Sequence, residues 1–119
     1  MKLRIKSNSI RLRLTRTEVC TIANTGYLEE VTVFPGTSFK YALQSYAGEL
    51  SARYDSDKIT VFIPETFIKE WPENDVIGIN GIMNSGTEPL NILIEKDFIC
   101  IDETTEDQSD NYHNPNSIC

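Results

Sequence analysis

The stretch Lys2-Leu3-Arg4-Ile5-Lys6-Ser7-Asn8-Ser9-Ile10-Arg11-Leu12-Arg13-Leu14 decides the fold class. Lys2, Arg4 and Lys6 alternate with Leu3 and Ile5. After the turn signal Ser7-Asn8-Ser9, Arg11 and Arg13 alternate with Ile10, Leu12 and Leu14. A period of two is the period of a strand, so the segment reads as a β-hairpin with one apolar and one basic face. Something must cover the apolar face. Immediately downstream, Thr15-Arg16-Thr17-Glu18 fits a capping box, in which a hydroxyl and a carboxylate satisfy the free amides of a first helical turn. Val19, Ile22 and Ala23 then share one helical face, and Gly26 supplies the stop. A helix of about nine residues is not stable alone, so its apolar face is expected to dock on the sheet. Cys20 lies beside that stripe and is expected to be shielded with it.

Outward from this unit the alternation continues. Leu28–Phe34 ends at the turn Pro35-Gly36. Phe39, Tyr41 and Leu43 alternate with polar and small residues, as do Leu50, Ala52 and Tyr54. Asp55-Ser56-Asp57-Lys58 turns into a strand over 59–63. Short spacings of this kind predict an antiparallel meander. Pro64 opens a second short helix with Phe67, Ile68 and Trp71 on its apolar side, and Pro72 closes it. Gly78 and Gly81 suggest a bulge or sharp curvature in a strand over 76–83, and the last strand is expected over Leu90–Ile101. The predicted fold is α+β: a curved, half-barrel-like antiparallel meander of seven or eight strands with two short helices. Residues 1–101 form one domain, and 102–119 form an acidic C-terminal tail packed on it. No internal repeat stands out.

The chain has 119 residues and a formal net charge of -7, with 39% hydrophobic and 24% charged residues. That is enough chain for a core of its own, and the composition excludes a disordered chain. No apolar run reaches the roughly 18 residues of a membrane span, and the N-terminus has no continuous apolar stretch for a secretory signal. Charge is asymmetric: residues 1–16 carry six bases and no acid, whereas 97–119 carry six acids and no base. An acidic chain repels polyphosphate at long range, so neither nucleic acid nor membrane is an expected partner. Cys20, Cys100 and Cys119, without a signal segment, suit reduced thiols in the cytoplasm. The other arrangement, a Cys100–Cys119 disulfide, would contribute about 3 kcal/mol.

Three constellations could carry chemistry. On the basic face, residues alternating along a strand stand about 7 Å apart. Arg4, Arg11 and Arg13 supply bidentate donors for a phosphate or carboxylate, with Lys2 and Lys6 as point charges. The competing reading pairs this face with the chain's own acids, including Glu95 and Asp97, which share a face of the last strand, and the acidic tail. The second constellation is the tail, whose Asp107 and Asp110 are hard oxygen ligands. No EF-hand fits there, because the sixth position from Asp107 is Tyr112 and the twelfth is Ile118. Cys100, His113 and Cys119 form the third, a loose set of zinc-type ligands with no CxxC pair. These define a candidate metal set of Cys100, Cys119, Asp107 and Asp110, against a plain reading of free thiols and solvated acids. No cofactor is expected. With one histidine and no GxSxG, P-loop or GxGxxG, there is no catalytic set to name. The basic alternation resembles the charged interior of triphosphate-cleaving tunnel enzymes, but their Glu-x-Glu-x-Lys is missing.

The opening, Lys2 through Thr15, resembles the start of a small bacterial family of uncharacterised proteins. The ending resembles that family's C-terminus: Glu95-Lys96-Asp97-Phe98, Cys100, Glu106-Asp107-Gln108-Ser109-Asp110-Asn111-Tyr112, Asn114-Pro115 and Cys119. The resemblance spans nearly the whole chain and implies no activity. It implies Pro at position 113, where this chain has His113, which weakens a zinc scheme using that residue. It also implies a tail that packs on the body, with Cys100 and Cys119 close together. Three classes of function stay open: a non-enzymatic binding or accessory protein, a domain that binds or turns over a small anionic ligand at the basic hairpin, and a metal-stabilised module. The expected partner is a protein or a small anion, and self-association into a homo-oligomer is open.

Overall fold

The computed structural model describes residues 1–84, 86–98 and 109–112. Eight strands and two short α-helices are found among them, an α+β arrangement as expected. Hairpin β1 (Lys2–Lys6) and β2 (Ser9–Leu14) leads into α1 (Arg16–Thr25), then into hairpin β3 (Tyr27–Phe34) and β4 (Thr37–Tyr46). Hairpin β5 (Ser51–Asp55) and β6 (Lys58–Pro64) leads into α2 (Glu65–Ile68) and a 3-10 turn (Trp71–Glu73). The last hairpin is β7 (Gly78–Met83) and β8 (Leu90–Lys96).

The pairing differs from a single meander. The strands form two open four-stranded sheets, ordered β1-β2-β8-β7 and β3-β4-β6-β5. Each hairpin is antiparallel, but β2 runs parallel to β8, and β4 parallel to β6. Short turns dictate the antiparallel pairs; the parallel pairs join strands far apart in sequence, which no local spacing reveals.

The order of elements also exposes a duplication. Hairpin, helix, hairpin occurs twice, and the starts of β1, β2 and α1 at 2, 9 and 16 recur 49 residues later at 51, 58 and 65. At this offset only Arg4/Arg53, Ser7/Ser56, Ile10/Ile59 and Thr17/Thr66 are identical between 2–22 and 51–71. The interior positions nevertheless correspond. Ile10, Leu12, Leu14, Val19 and Ile22 are buried, and so are Ile59, Val61, Ile63, Ile68 and Trp71. Each sheet combines the first hairpin of one half with the second hairpin of the other, so neither half builds a sheet without its counterpart.

Local signals hold closely. Thr15 caps α1 in a complete capping box with Glu18, and Gly26 ends it at φ 78 with its N–H bonded to the Ile22 carbonyl. Val19 and Ile22 bury fully, but Cys20, one residue further round the helix, is exposed rather than shielded. β8 ends at Lys96; the Asp97 N–H still donates to the Leu14 carbonyl of β2, while the Asp97 carbonyl accepts from Tyr112 N–H, and residues 99–101 of the expected strand lie outside the described residues.

Gly78 and Gly81 introduce no bulge, since β7 pairs with β8 in unbroken register from Gly78↔Glu95 to Met83↔Leu90. Gly78 instead permits close approach: a Cβ there would stand 2.3 Å from the Ile94 carbonyl oxygen and 2.8 Å from the Glu95 Cα. Both obstacles are backbone, so Gly78→Ala must push β7 away from β8. The expected cost is about 1–3 kcal/mol in urea denaturation, the range for overpacking. An unchanged midpoint would show that the two strands are not held this closely.

Candidate functional site

The basic hairpin face lies on the outer side of the first sheet. Register places Arg4 opposite Arg11 and Lys2 opposite Arg13, and in the parallel pair sets Arg13 beside Glu95. Ile10, Leu12 and Leu14 take the inner side and are buried, which forces Arg11 and Arg13 outward. Two guanidinium groups converge there on one carboxylate. Arg13 Nε donates to Glu95 Oε1 at 2.9 Å, and Arg11 Nε lies 2.9 Å from the same oxygen. The Arg11 contact is an ion pair without hydrogen-bond alignment, which leaves its buried Nε–H unsatisfied. At the end of the strand, Lys2 Nζ lies 2.9 Å from Oδ2 of Asp97, a carboxylate buried at 3% exposure. Arg4 makes no ion pair among the described residues.

The face thus carries five cations, Lys2, Arg4, Lys6, Arg11 and Arg13, against the two carboxylates Glu95 and Asp97 among the described residues. Pairing of Glu95 and Asp97 with the hairpin is as the alternation suggests. The three arginines proposed from sequence do stand together, and the positive excess lies on the Arg4 side of the hairpin.

Of the candidate metal set, only Asp110 lies within the described residues. Cys100, Cys119 and Asp107 lie outside the described residues, as do His113 and most of the acidic tail. Among the described residues there is no group of three or more His, Cys, Asp or Glu side chains able to hold a metal ion. Asp110 is occupied otherwise, at the start of α1. Its carboxylate accepts from the Thr17 hydroxyl at 3.0 Å and from the Thr17 N–H at 3.4 Å, and its carbonyl accepts from Arg16 N–H at 2.9 Å. Phe98 and Tyr112 pair as an isolated parallel bridge, with their rings 5.9 Å apart. Residues 109–112 therefore rest on the end of β8 and the start of α1.

Lys96 is a residue that sequence reading passed over. It is 4% exposed and lies beneath two rings, 4.8 Å from the Tyr112 centroid and 5.8 Å from that of Trp71. Its ammonium donates to the Asn74 carbonyl at 2.7 Å. Burial lowers its pKa below the usual lysine value; the nearby Asp75 opposes this shift and Arg16 adds to it. The signal was its phase: Lys96 follows Ile92 and Ile94 on the buried side of β8.

A cleft of about 700 Å³ opens between α1 and α2, bordered by Cys20, Asn24, Glu65, Lys69 and Glu73. It lies apart from the basic face, and among the described residues no buried polar side chain without a hydrogen-bond partner lines it. Among the described residues, no helix is long and apolar enough to cross a membrane.

The Asp110 contacts make a pH-dependent prediction. Hydrogen bonds from the Thr15 hydroxyl first, then from Thr17, hold its carboxyl below the usual value of 3.8 despite an opposing effect of burial. A depressed carboxyl stabilises the fold above 3.8, and this contribution is lost as pH falls through the folded-state pKa. Asp110→Asn is expected to lower the melting temperature at pH 7. The gap between variant and wild type should close as pH falls below 3.8. Thermal melts across pH check this, and a gap that persists in acid would exclude the carboxylate as its source.

No curated protein and no solved structure matches this chain. A family of unknown function, DUF7009, matches residues 1–116, nearly the whole chain, and the chain belongs to that family.

Proposed function

We propose that this chain is a non-enzymatic binding domain whose outer β1–β2 face takes a small anionic group, a phosphate or a carboxylate. The supporting observation is a difference between its two halves. The first hairpin and helix of each half keep the same buried apolar positions, but Arg11 and Arg13, which face outward, correspond to the buried Thr60 and the half-buried Phe62 at the 49-residue offset. The framework does not require basic residues at these places, since the second half folds without them. Charge here is costly to gather: cations on adjacent strands repel, and only Glu95 and Asp97 offset them among the described residues. Arginine suits the role because each guanidinium has five donors, so sharing one carboxylate leaves donors available to a ligand.

Glu95 fits this reading as a positioning group. It aligns Arg11 and Arg13 on β2, and Arg4 on β1 stands directly across from Arg11. An oxyanion seated between Arg4 and Arg11 would complete the charge balance that Glu95 supplies at the Arg13 end. In the metal-stabilised alternative, the described structure supplies only Asp110, whose carboxylate is engaged by α1.

Thermal shift with pyrophosphate tests the proposal. Binding to the native state alone raises stability by about 2.7 kcal/mol at 100 times the dissociation constant, so occupancy is visible as a higher melting temperature. Arg4→Gln is expected to abolish that shift while changing the unliganded fold by no more than about 0.5 kcal/mol, the range for a surface substitution. Arg11→Gln is also expected to remove the shift. A wild-type melt unmoved by pyrophosphate, or an Arg4→Gln variant that still responds, would contradict this assignment.

A further inference from the structure

A β-sheet edge presents unpaired main-chain groups, and natural edges are usually blunted by charge, bulges or cover. The two sheets here have four edges: β1, β7, β3 and β5. Three of them are managed. Edge β1 carries Lys2, Arg4 and Lys6, and β5 has Arg53 and Asp55. Edges β5 and β7 also approach one another, with Ala52 N–H lying 3.4 Å from Met83 Sδ. β3 is different. Its eight residues, Tyr27-Leu28-Glu29-Glu30-Val31-Thr32-Val33-Phe34, include no Lys, Arg or Pro, and its pairing with β4 contains no bulge. Val31 is 50% exposed, Val33 80% and Phe34 49%. Its two acids are already engaged. Glu29 accepts from the Tyr27 hydroxyl at 2.5 Å and from Lys58 at 3.1 Å, and Glu30 holds the Met1 amino group at 2.9 Å.

The hydrogen bonds identify which main-chain groups are open. Lys40 N–H donates to Asp57, on the β6 side, and Ser45 N–H donates to Gly26, on the β3 side. Even-numbered residues of β4 therefore turn toward β6 and odd-numbered ones toward β3. Val31 stands opposite Lys40, Glu29 opposite Ala42 and Val33 opposite Ser38. The odd-numbered residues of β3 consequently turn their N–H and C=O groups out of the sheet. Tyr27 is satisfied at one end, where its N–H and C=O both bond the Thr25 hydroxyl. Pro35 has no N–H at the other end. Among the described residues, what remains without a partner is Glu29, Val31 and Val33, a set symmetric about Val31.

We infer that β3 is a dimerisation edge that pairs antiparallel with β3 of a second copy of this chain, about a two-fold axis at Val31. In that register Val31 meets Val31 of the other copy, and Glu29 meets Val33 in both directions. Each pair exchanges two N–H···O bonds, so every open group of the set is satisfied. Between these pairs Glu30 faces Thr32 and Leu28 faces Phe34, so no acid faces an acid. Shifting the pairing by one residue would set outward groups against inward ones. Moving the axis to Glu30 or Glu29 would oppose like charges, which destabilises a sheet. Moving it to Thr32 would place Glu29 against Pro35, which has no N–H to return. An isologous contact of this kind closes at two copies and joins two four-stranded sheets into one. It lies on the sheet that lacks the basic hairpin, so it stands apart from the anion-binding proposal.

Sedimentation or light scattering on the purified chain is expected to give twice the 13.5 kDa chain mass. Val31→Lys places two cations on the axis and is expected to give the single-chain mass, with a cooperative melt whose temperature no longer rises with concentration as that of the wild type does. Directly opposed Cα atoms in a hydrogen-bonded pair lie about 5.5 Å apart, within disulfide range. Val31→Cys should therefore cross-link to itself under mild oxidation, as a 31–31 linkage mapped by peptide mass spectrometry. Val33→Cys places its two sulfurs four residues apart along the ladder, about 13 Å, and should not link. A wild-type chain that stays single as concentration rises would overturn the inference. So would a Val31→Lys variant that remains double, or a Val33→Cys variant that links as readily as Val31→Cys. An edge that captures an extended peptide while the chain itself stays single would assign β3 to a different partner and equally overturn it.

Discussion

The parallel ladder between β2 and β8 is the constraint on which the site depends. It joins residues 9–14 to residues 91–96, with Ile10 beside Ile92 and Leu12 beside Ile94, all buried. Because these inner positions are packed, a one-residue slip would turn every apolar side chain outward. The same register sets Arg13 next to Glu95, and the continuation of the strand carries Asp97 to the Leu14 carbonyl and its carboxylate to Lys2. The charge cluster is thus a consequence of core packing on the opposite face of the same strands. Gly78 contributes from the far side, by letting β7 lie directly against Glu95.

The second parallel ladder, β4 with β6, does the same for the other sheet, and the two together interlock the halves of the duplication. A duplicated framework separates what folding requires from what it does not. Positions that stay apolar in both halves are needed for the core. Positions that diverge are free to acquire other roles, as Arg11 and Arg13 do against Thr60 and Phe62. The edges diverge likewise. At the same offset, β3 corresponds to β7, yet β7 approaches its neighbour β5 while β3 leaves Val31 and Val33 exposed. One half supplies a basic face and an open edge, and the other supplies the strands that complete both sheets.

Local physics was legible in the chain. The two-residue period gave the β1–β2 hairpin, Thr15 and Glu18 marked the start of α1, and Gly26 marked its end, because each signal acts within a few residues. Partnering of Glu95 and Asp97 with the basic hairpin also followed from alternation alone. Non-local facts were hidden. Nothing near Ile10 states that Ile92 is its neighbour, and four identities between the halves do not announce a repeat when substitution of one apolar residue by another preserves the core. Cys20 was misplaced because a residue adjacent to a buried stripe sits about 100° away around a helix, far enough to reach solvent. Lys96 was overlooked because a lysine is taken as a surface residue, although its phase with Ile92 and Ile94 marked it as inward. Its long stem fills the space beneath Trp71 and Tyr112 while its ammonium reaches Asn74.

Interlocked halves make a direct claim about cooperativity. If β2 requires β8 and β4 requires β6, residues 1–48 hold two hairpins and one helix with no sheet to complete them. Isolated hairpins and a helix this short are marginal in water. The measurement is urea denaturation of the isolated 1–48 fragment, followed by circular dichroism. The account predicts no cooperative transition for the fragment alone, and a transition that appears when the 49–119 fragment is added. A cooperative transition of 1–48 by itself would contradict the interlocked arrangement, because it would mean that the first half buries its apolar faces without the second.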